Sequence, residues 1–118
     1  MIISAIQNGD FSSVSGTWRN GTGIELTLDK NGLVSDHSKV SIEHAKEIDH
    51  YLKASSIFKD GGAGAAIAFL PAGIPITMSV TSSTDNSYTD SSDITQDRLW
   101  LGQQLINGHT DGFFYKVE

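Results

Sequence analysis

The side chains of this sequence best suited to metal binding or acid–base chemistry are four histidines: His37, His44, His50 and His109. None belongs to an i, i+4 histidine pair with an intervening glutamate, which a zinc-protease helix requires. In a helix, His44 would approach Glu47 and His50, but histidines on a solvated segment are the commoner arrangement. We therefore predict no metal site at the histidines.

The loop 85–97 carries aspartate, serine and threonine side chains, whose oxygen atoms are the ligands that calcium prefers. It lacks the glycine at the sixth position and the glutamate at the twelfth position of an EF-hand loop. Aspartate and serine are also frequent in ordinary loops, because their side chains bond to nearby backbone groups. The sequence leaves two alternatives open here, a cation-binding loop and a polar surface loop.

Serine nucleophiles and phosphate loops are poorly supported. The run Ser35-Asp36-His37-Ser38 contains the residue types of a catalytic triad, but triads are assembled across a fold and not along one strand. No serine lies in a Gly-x-Ser-x-Gly motif. The glycines of segment 61–64 are not followed by the Lys-Ser or Lys-Thr of a phosphate loop. We predict no catalytic residue, no enzyme activity and no cofactor.

Composition limits the classes of partner that the chain is expected to bind. The chain has 118 residues, no cysteine, and 8 basic against 14 acidic side chains, a formal net charge of −6. This acidic balance argues against nucleic-acid binding, which depends on clustered Lys and Arg. No apolar run is long enough to span a membrane. We predict one domain, residues 1–118, in which residues 1–15 form a lead-in segment.

Turn-forming residues and alternating apolar residues predict the strands and turns that would position any functional side chain. Two strands between Gly16 and Leu28 should be joined at Asn20-Gly21-Thr22-Gly23, and a helical turn capped by Asp10 should precede them. A second hairpin turn at Asp29-Lys30-Asn31-Gly32 should lead into Leu33-Val34, and further strands are expected at 65–70, 74–80, 98–104 and 113–117. Short strands with frequent turns indicate a mainly β fold, a small antiparallel up-and-down β-barrel.

Residues 36–56 fit two interpretations. Ile42, Ala45, Ile48 and Leu52 recur at helical spacing, which favours a short helix near residues 43–53. Val40 and Ile42 also alternate as in a strand. The interpretations divide near Ile42, with a strand before it and either strand or helix after it.

Aromatic residues on the predicted strands are the best candidates for a ligand-binding surface: Trp18, Trp100 and Tyr115. Their ordinary role is core packing. Gly16, Trp18 and Arg98 are predicted to be structural, because Gly16 opens the first strand and Arg98 could cover an indole ring.

The stretch Val14-Ser15-Gly16-Thr17-Trp18 resembles the first strand of lipocalin- and avidin-like (calycin) barrels. The resemblance implies an up-and-down barrel entered through a short helical turn. It also implies a late basic residue, here Arg98 or Lys116, over the Trp18 ring.

A longer likeness covers Gly9–Asn20, Phe69–Gly73, Asp97–Trp100 and Phe114–Val117. These pieces resemble an uncharacterised domain of Gram-positive surface lipoproteins. The resemblance implies a cell-surface or extracellular address and a lipid anchor on a removed N-terminal segment. The function expected is a non-enzymatic barrel that binds a small molecule or cell-envelope component. The alternative is a structural or protein-interaction module with a fully packed barrel.

Overall fold

The structure is a computed structural model that describes residues 1–77, 89–103, 105 and 110–117. A short helix, α1 (Ile3–Gln7), and a 3₁₀ turn (Ser12–Val14) precede the sheet. The described residues form eight strands: β1 Gly16–Arg19, β2 Glu25–Asp29, β3 Gly32–Leu33, β4 Ser38–Ile48, β5 Tyr51–Phe58, β6 Ala63–Leu70, β7 Arg98–Gly102 and β8 Phe113–Lys116.

The strands form one antiparallel sheet in the order β3-β2-β1-β8-β7-β6-β5-β4. The last strand, β8, pairs with the first, β1, through Trp18–Lys116 and Arg19–Tyr115. The two edge strands, β3 and β4, contact each other without a hydrogen-bonded ladder. The result is a nearly closed barrel with a seam between β3 and β4, so the predicted lipocalin-like architecture is confirmed.

The predicted turns form for the expected chemical reasons. The Asn20 Oδ1 atom accepts hydrogen bonds from the backbone amides of Thr22 and Ile24, at 3.1 and 2.9 Å, which closes the β1–β2 turn. The Asp10 Oδ1 atom accepts a hydrogen bond from the Ser12 amide at 3.0 Å, at the start of the 3₁₀ turn. These side chains satisfy backbone donors that would otherwise be unpaired.

The predicted short helix near residues 43–53 is not formed, so the helical interpretation of this segment is wrong. Strand β4 runs through to Ile48, and β5 begins at Tyr51 after a tight hairpin at Asp49 and His50, whose φ angles are 49° and 75°. A β-bulge between Ser41 and Lys46 shifts the register of β4. Ile42 and Ala45 therefore both pack against the barrel core although they lie three residues apart. The bulge reproduces a helical spacing inside a strand.

The predicted strand at 74–80 is not formed in its described part, residues 74–77. The backbone amide of Ile76 donates to the Asp90 carboxylate at 2.8 Å, where a strand would pair with a neighbouring strand. Residues 78–80 lie outside the described residues.

The sheet carries apolar clusters on both of its faces. The inner cluster fills the barrel and includes Trp18, Leu52, Phe69 and Phe114. The outer cluster, which includes Trp100 and Phe113, is covered in part by Ile74 and Ile76 from the segment after β6. Alternation along β6, β7 and β8 sends neighbouring residues to opposite clusters.

Candidate functional site

One end of the barrel, here called the closed end, is plugged by α1 and the 3₁₀ turn. Ile6, Phe11 and Val14 from these segments belong to the inner cluster and are buried. The rings of Phe11 and Phe69 pack at a centroid distance of 6.0 Å. Side chains from residues 1–15 thus cover the inner cluster at this end.

Trp18 is part of the closed end. Its side chain is 1% exposed, and its indole Nε1 donates a hydrogen bond to the Val14 carbonyl at 2.9 Å. Gly16 opens β1 with a φ of 129°, a conformation that favours glycine. Lys116 lies directly opposite Trp18 in the β1–β8 pairing, whereas Arg98 lies on the outer face. Of the two basic residues expected over the indole, Lys116 shares its face of the sheet.

Arg98 is fully buried and fastens the segment before β7 to the outer face. Its Nη1 atom donates to the Gln96 carbonyl at 3.0 Å, and its Nη2 atom donates to the Ile74 carbonyl. The Asp90 carboxylate lies 3.6 Å from Nη2 and is itself 3% exposed. Burial lowers the pKa of Arg98, and the nearby carboxylate of Asp90 opposes that shift.

Trp100 and Tyr115 lie on the outer face, away from Trp18. The Trp100 ring packs on two glycines, because a Cβ at Gly102 or Gly112 would lie within 3.0 Å of the indole. The Tyr115 hydroxyl accepts a hydrogen bond from the Asp93 amide at 2.8 Å. The three aromatic candidates therefore do not share one surface, and their predicted role in ligand binding stays a prediction.

In the described part of the loop 85–97, the carboxylates are occupied by protein donors. Asp90 accepts hydrogen bonds from Ser92 and Ile76, and Asp93 accepts them from Thr95 and Gln96. The hydrogen bonds to Asp93 lower the pKa of its carboxyl group, and the bond from the Thr95 hydroxyl has the largest effect. No group of three or more metal-ligating side chains occurs among the described residues. Residues 85–88, which belong to the cation-binding alternative, lie outside them.

The three histidines that the structure describes do not converge. His44 is exposed on β4, His50 lies in the β4–β5 hairpin, and His37 precedes β4 at the opposite end of the barrel. His109 lies outside the described residues. Over the described part of the chain, the His37 side chain forms no hydrogen bond or ion pair with a carboxylate.

The other end of the barrel, here called the mouth, is open. It holds a cavity of about 310 Å³. The lining comes from the start of β2, the end of β3 and the segment after it, and from β4, β5 and β7: Glu25, Leu26, Thr27, Leu33, Val34, Ser35, Ser38, Ser56 and Leu101. Leu26 and Leu101, which pack against the inner cluster, contribute apolar surface to this lining. Below this mouth, among the described residues, the side chains of the inner cluster occupy the interior of the barrel.

The mouth continues around the outside of the seam. A second cavity of about 440 Å³ shares Leu33, Val34 and Ser35 with the mouth. A third, of about 460 Å³, shares Asp36 and Lys59 with the second. The three cavities are neighbours that share lining residues, and we call them together the seam cleft.

Polar side chains of the seam cleft are free of protein partners. Within the described residues, no hydrogen bond or ion pair is formed by the following side chains: Thr27, Asp36, His37, Ser38, Ser56, Lys59 and Asp60. Glu25 differs, because Arg19 holds it through hydrogen bonds of 2.9 and 2.6 Å. A concave surface with several unpaired donors and acceptors is typical of a ligand site.

None of the aromatic candidates lines the seam cleft, and sequence reasoning missed its residues. A usable signal was present on β4 and β5. Inward positions are apolar toward the closed end, at Ile42 and Leu52, and become serine toward the mouth, at Ser38 and Ser56. A change from apolar to hydroxyl side chains along one face of a strand indicates a solvated cavity at that end.

The whole chain except its first residue matches a family model described as a domain of unknown function, DUF6287, over residues 2–118. The chain belongs to this family. Searches of the curated proteins and of the solved structures found no match. Among the described residues, none of the helices has the length and apolar character needed to cross a membrane.

Proposed function

We propose that the chain is a non-enzymatic domain that binds a small molecule or a cell-envelope component at the mouth of its barrel. The observation that carries the proposal is the mouth cavity of about 310 Å³. It combines the apolar side chains of Leu26 and Leu101 with the unpaired hydroxyl groups of Ser38 and Ser56. Such a lining suits a ligand that has both apolar and polar parts.

We further propose that the domain works outside the cytoplasm, at the surface of a Gram-positive cell, anchored by a lipid on a preceding segment. Support comes from the likeness of Gly9–Asn20 and Phe114–Val117 to surface-lipoprotein domains. Mass spectrometry of the protein isolated from its host would test this. A lipid-modified cysteine before residue 1 is the expected result, and an unmodified cytoplasmic protein would contradict the proposal.

A pair of neighbouring serines gives a matched test of the mouth. Ser56 lines the cavity, whereas Ser55 is exposed on the adjacent position of β5. Ser56→Trp should fill the cavity, and Ser55→Trp should leave it open. In native mass spectrometry of protein from the natural host, we expect a bound small molecule on the unmodified chain and on Ser55→Trp, and its loss from Ser56→Trp. A ligand retained equally by both variants would place the site elsewhere.

A protein-interaction module is the second candidate. Three large apolar side chains are exposed at the mouth end, namely Ile24 at 58%, Val34 at 53% and Phe58 at 47%. Burial of such side chains against another protein would be favourable. Sedimentation velocity distinguishes the candidates: self-association that is lost in Val34→Ser would favour this module, and a monomer at all concentrations would count against self-association through this surface.

A further inference from the structure

We infer that the ligand of the seam cleft is a neutral saccharide, whose ring lies against Phe58 and whose hydroxyl groups bond to the polar side chains beside it. This inference rests on the proposed function, because it names the class of ligand for the same mouth.

Phe58 supplies the apolar platform. It ends β5, and its side chain is 47% exposed although it is a large aromatic residue. The turn after it is fixed by backbone hydrogen bonds, from Phe58 to Gly62 at 3.3 Å and from Gly61 to Phe58 at 3.1 Å. The face of an aromatic ring carries negative potential. The C–H groups on one face of a sugar ring carry the complementary positive potential, so the two surfaces fit.

The polar groups beside Phe58 offer both donors and acceptors. Asp36 and Asp60 present acceptors, Lys59 presents donors, and His37 adds two ring nitrogen atoms. Each sugar hydroxyl group both donates and accepts, so it can use all of these partners.

Backbone hydrogen bonds fix the main chain from which these side chains extend. The Ser35 Oγ atom accepts hydrogen bonds from the amides of His37 and Ser38, at 3.1 and 3.2 Å. The Lys59 amide donates to the His37 carbonyl at 2.8 Å and joins the two sides of the cleft. A preformed site loses less conformational freedom when it binds a weakly held ligand.

The charges of the cleft favour a neutral ligand. An anion would meet one ammonium group and two carboxylates in the cavity around Phe58. It would also approach a chain with a net charge of −6. An organic cation would be attracted to Asp36 and Asp60 but repelled by Lys59, which lines the same cavity and pairs with neither. A neutral polyhydroxyl ligand meets no such opposition.

Further hydroxyl groups line the cavities next to the one at Phe58. Beyond Asp36 and Lys59, the cleft leads past Ser35 to the hydroxyl groups of Ser38, Ser56 and Thr27 in the mouth. A chain of linked sugar rings could occupy this path. Both a free oligosaccharide and the end of a surface glycan have this chemistry.

NMR titration of the full ¹⁵N-labelled chain tests the inference. The probes are two neutral disaccharides, N,N′-diacetylchitobiose and maltose, with glycerol 3-phosphate as the anionic probe and choline as the cationic one. We expect at least one disaccharide to shift the amide signals of residues 36–38 and 58–60 with millimolar affinity, and the charged probes to leave them unchanged. Retention on insoluble chitin or amylose without binding of the matching disaccharide would identify a polymeric surface glycan as the source.

The matched variants are Phe58→Ala in the cleft and Val117→Ala, which truncates an exposed apolar residue at the closed end. Phe58→Ala should weaken saccharide binding by about tenfold or more, and Val117→Ala should leave it unchanged. The inference is overturned if no neutral saccharide or polymer binds, if binding ignores Phe58→Ala, or if only a charged probe binds. A host ligand displaced by Ser56→Trp that is not a saccharide would overturn this inference and leave the proposed function standing. If no ligand of any class binds at the mouth, both fail.

Discussion

Polar side chains at the closed end and in the seam cleft differ in their hydrogen bonding. At the closed end, Asp10 holds the 3₁₀ turn and the Trp18 indole is bonded to a backbone carbonyl. At the mouth, Asp36, Ser56 and Lys59 have no protein partner among the described residues. Satisfied groups stabilise a fold, whereas unpaired groups in a concave surface are available to a ligand. We therefore expect the closed end to contribute more to stability, and the seam cleft is where we propose that a ligand binds.

The largest expected difference in stability is that between the Trp18→Ala and Phe58→Ala variants. Trp18→Ala removes a fully buried side chain and a hydrogen bond, and it should lower the free energy of unfolding by about 4 kcal/mol. Phe58→Ala removes a half-exposed side chain and should cost less than about 0.5 kcal/mol. Urea denaturation measures both variants. Equal unfolding midpoints for the two would contradict the division between the ends.

A second comparison uses two basic residues. Arg98→Ala leaves the Asp90 carboxylate and the carbonyls of Ile74 and Gln96 without their partner, and it should cost about 3 kcal/mol. Lys59→Ala at the mouth should change stability by less than about 0.5 kcal/mol. Hydrogen exchange should also show faster exchange at residues 89–97 in Arg98→Ala. An unchanged exchange pattern would mean that other contacts hold this segment.

Alkaline pH offers a third test. Burial raises the pKa of Tyr51, whose hydroxyl group lies 3.0 Å from the Thr77 hydroxyl. A pKa raised in the folded state stabilises the protein below the unfolded value of about 10. That contribution is lost as the pH rises through the folded value. Tyr51→Phe should therefore flatten the alkaline decline in stability, measured by urea unfolding at increasing pH.

The smallest expected effect lies in the β4–β5 hairpin. His50 has a φ of 75°, which glycine adopts without strain. His50→Gly should raise the free energy of unfolding by about 0.5 kcal/mol, and His50→Ala should give no gain. Thermal unfolding of the two variants measures the difference. A gain with alanine would show that the histidine side chain, and not its backbone angle, is the cause.

The fold was predictable where turns carry glycine or asparagine. Asn20 to Gly23 and Asp29 to Gly32 mark their hairpins in the sequence, because few other residues adopt those backbone angles. The β4–β5 hairpin uses Asp49 and His50, which give no such signal, and the bulge before it imitates a helix.

The candidate site was less accessible to sequence reasoning. Its residues come from several strands, and their types, mainly serine, aspartate and lysine, are ordinary at any protein surface. Trp18 and Trp100 drew attention because of their size, but the sheet sends them to opposite faces. These residues come together through the pairing register of the strands, which places Ser38 opposite Phe58, and the sequence does not specify that register.

At the seam between β3 and β4, the sheet is not closed by a hydrogen-bonded ladder. The other neighbouring strands are joined by backbone hydrogen bonds, whereas these two edges are linked by the four residues from Val34 to His37. Such a barrel can widen at the seam while the hydrogen bonds between its other neighbouring strands stay intact. Because the connecting residues also form the wall of the cleft, the width of the gap and the size of the mouth must change together.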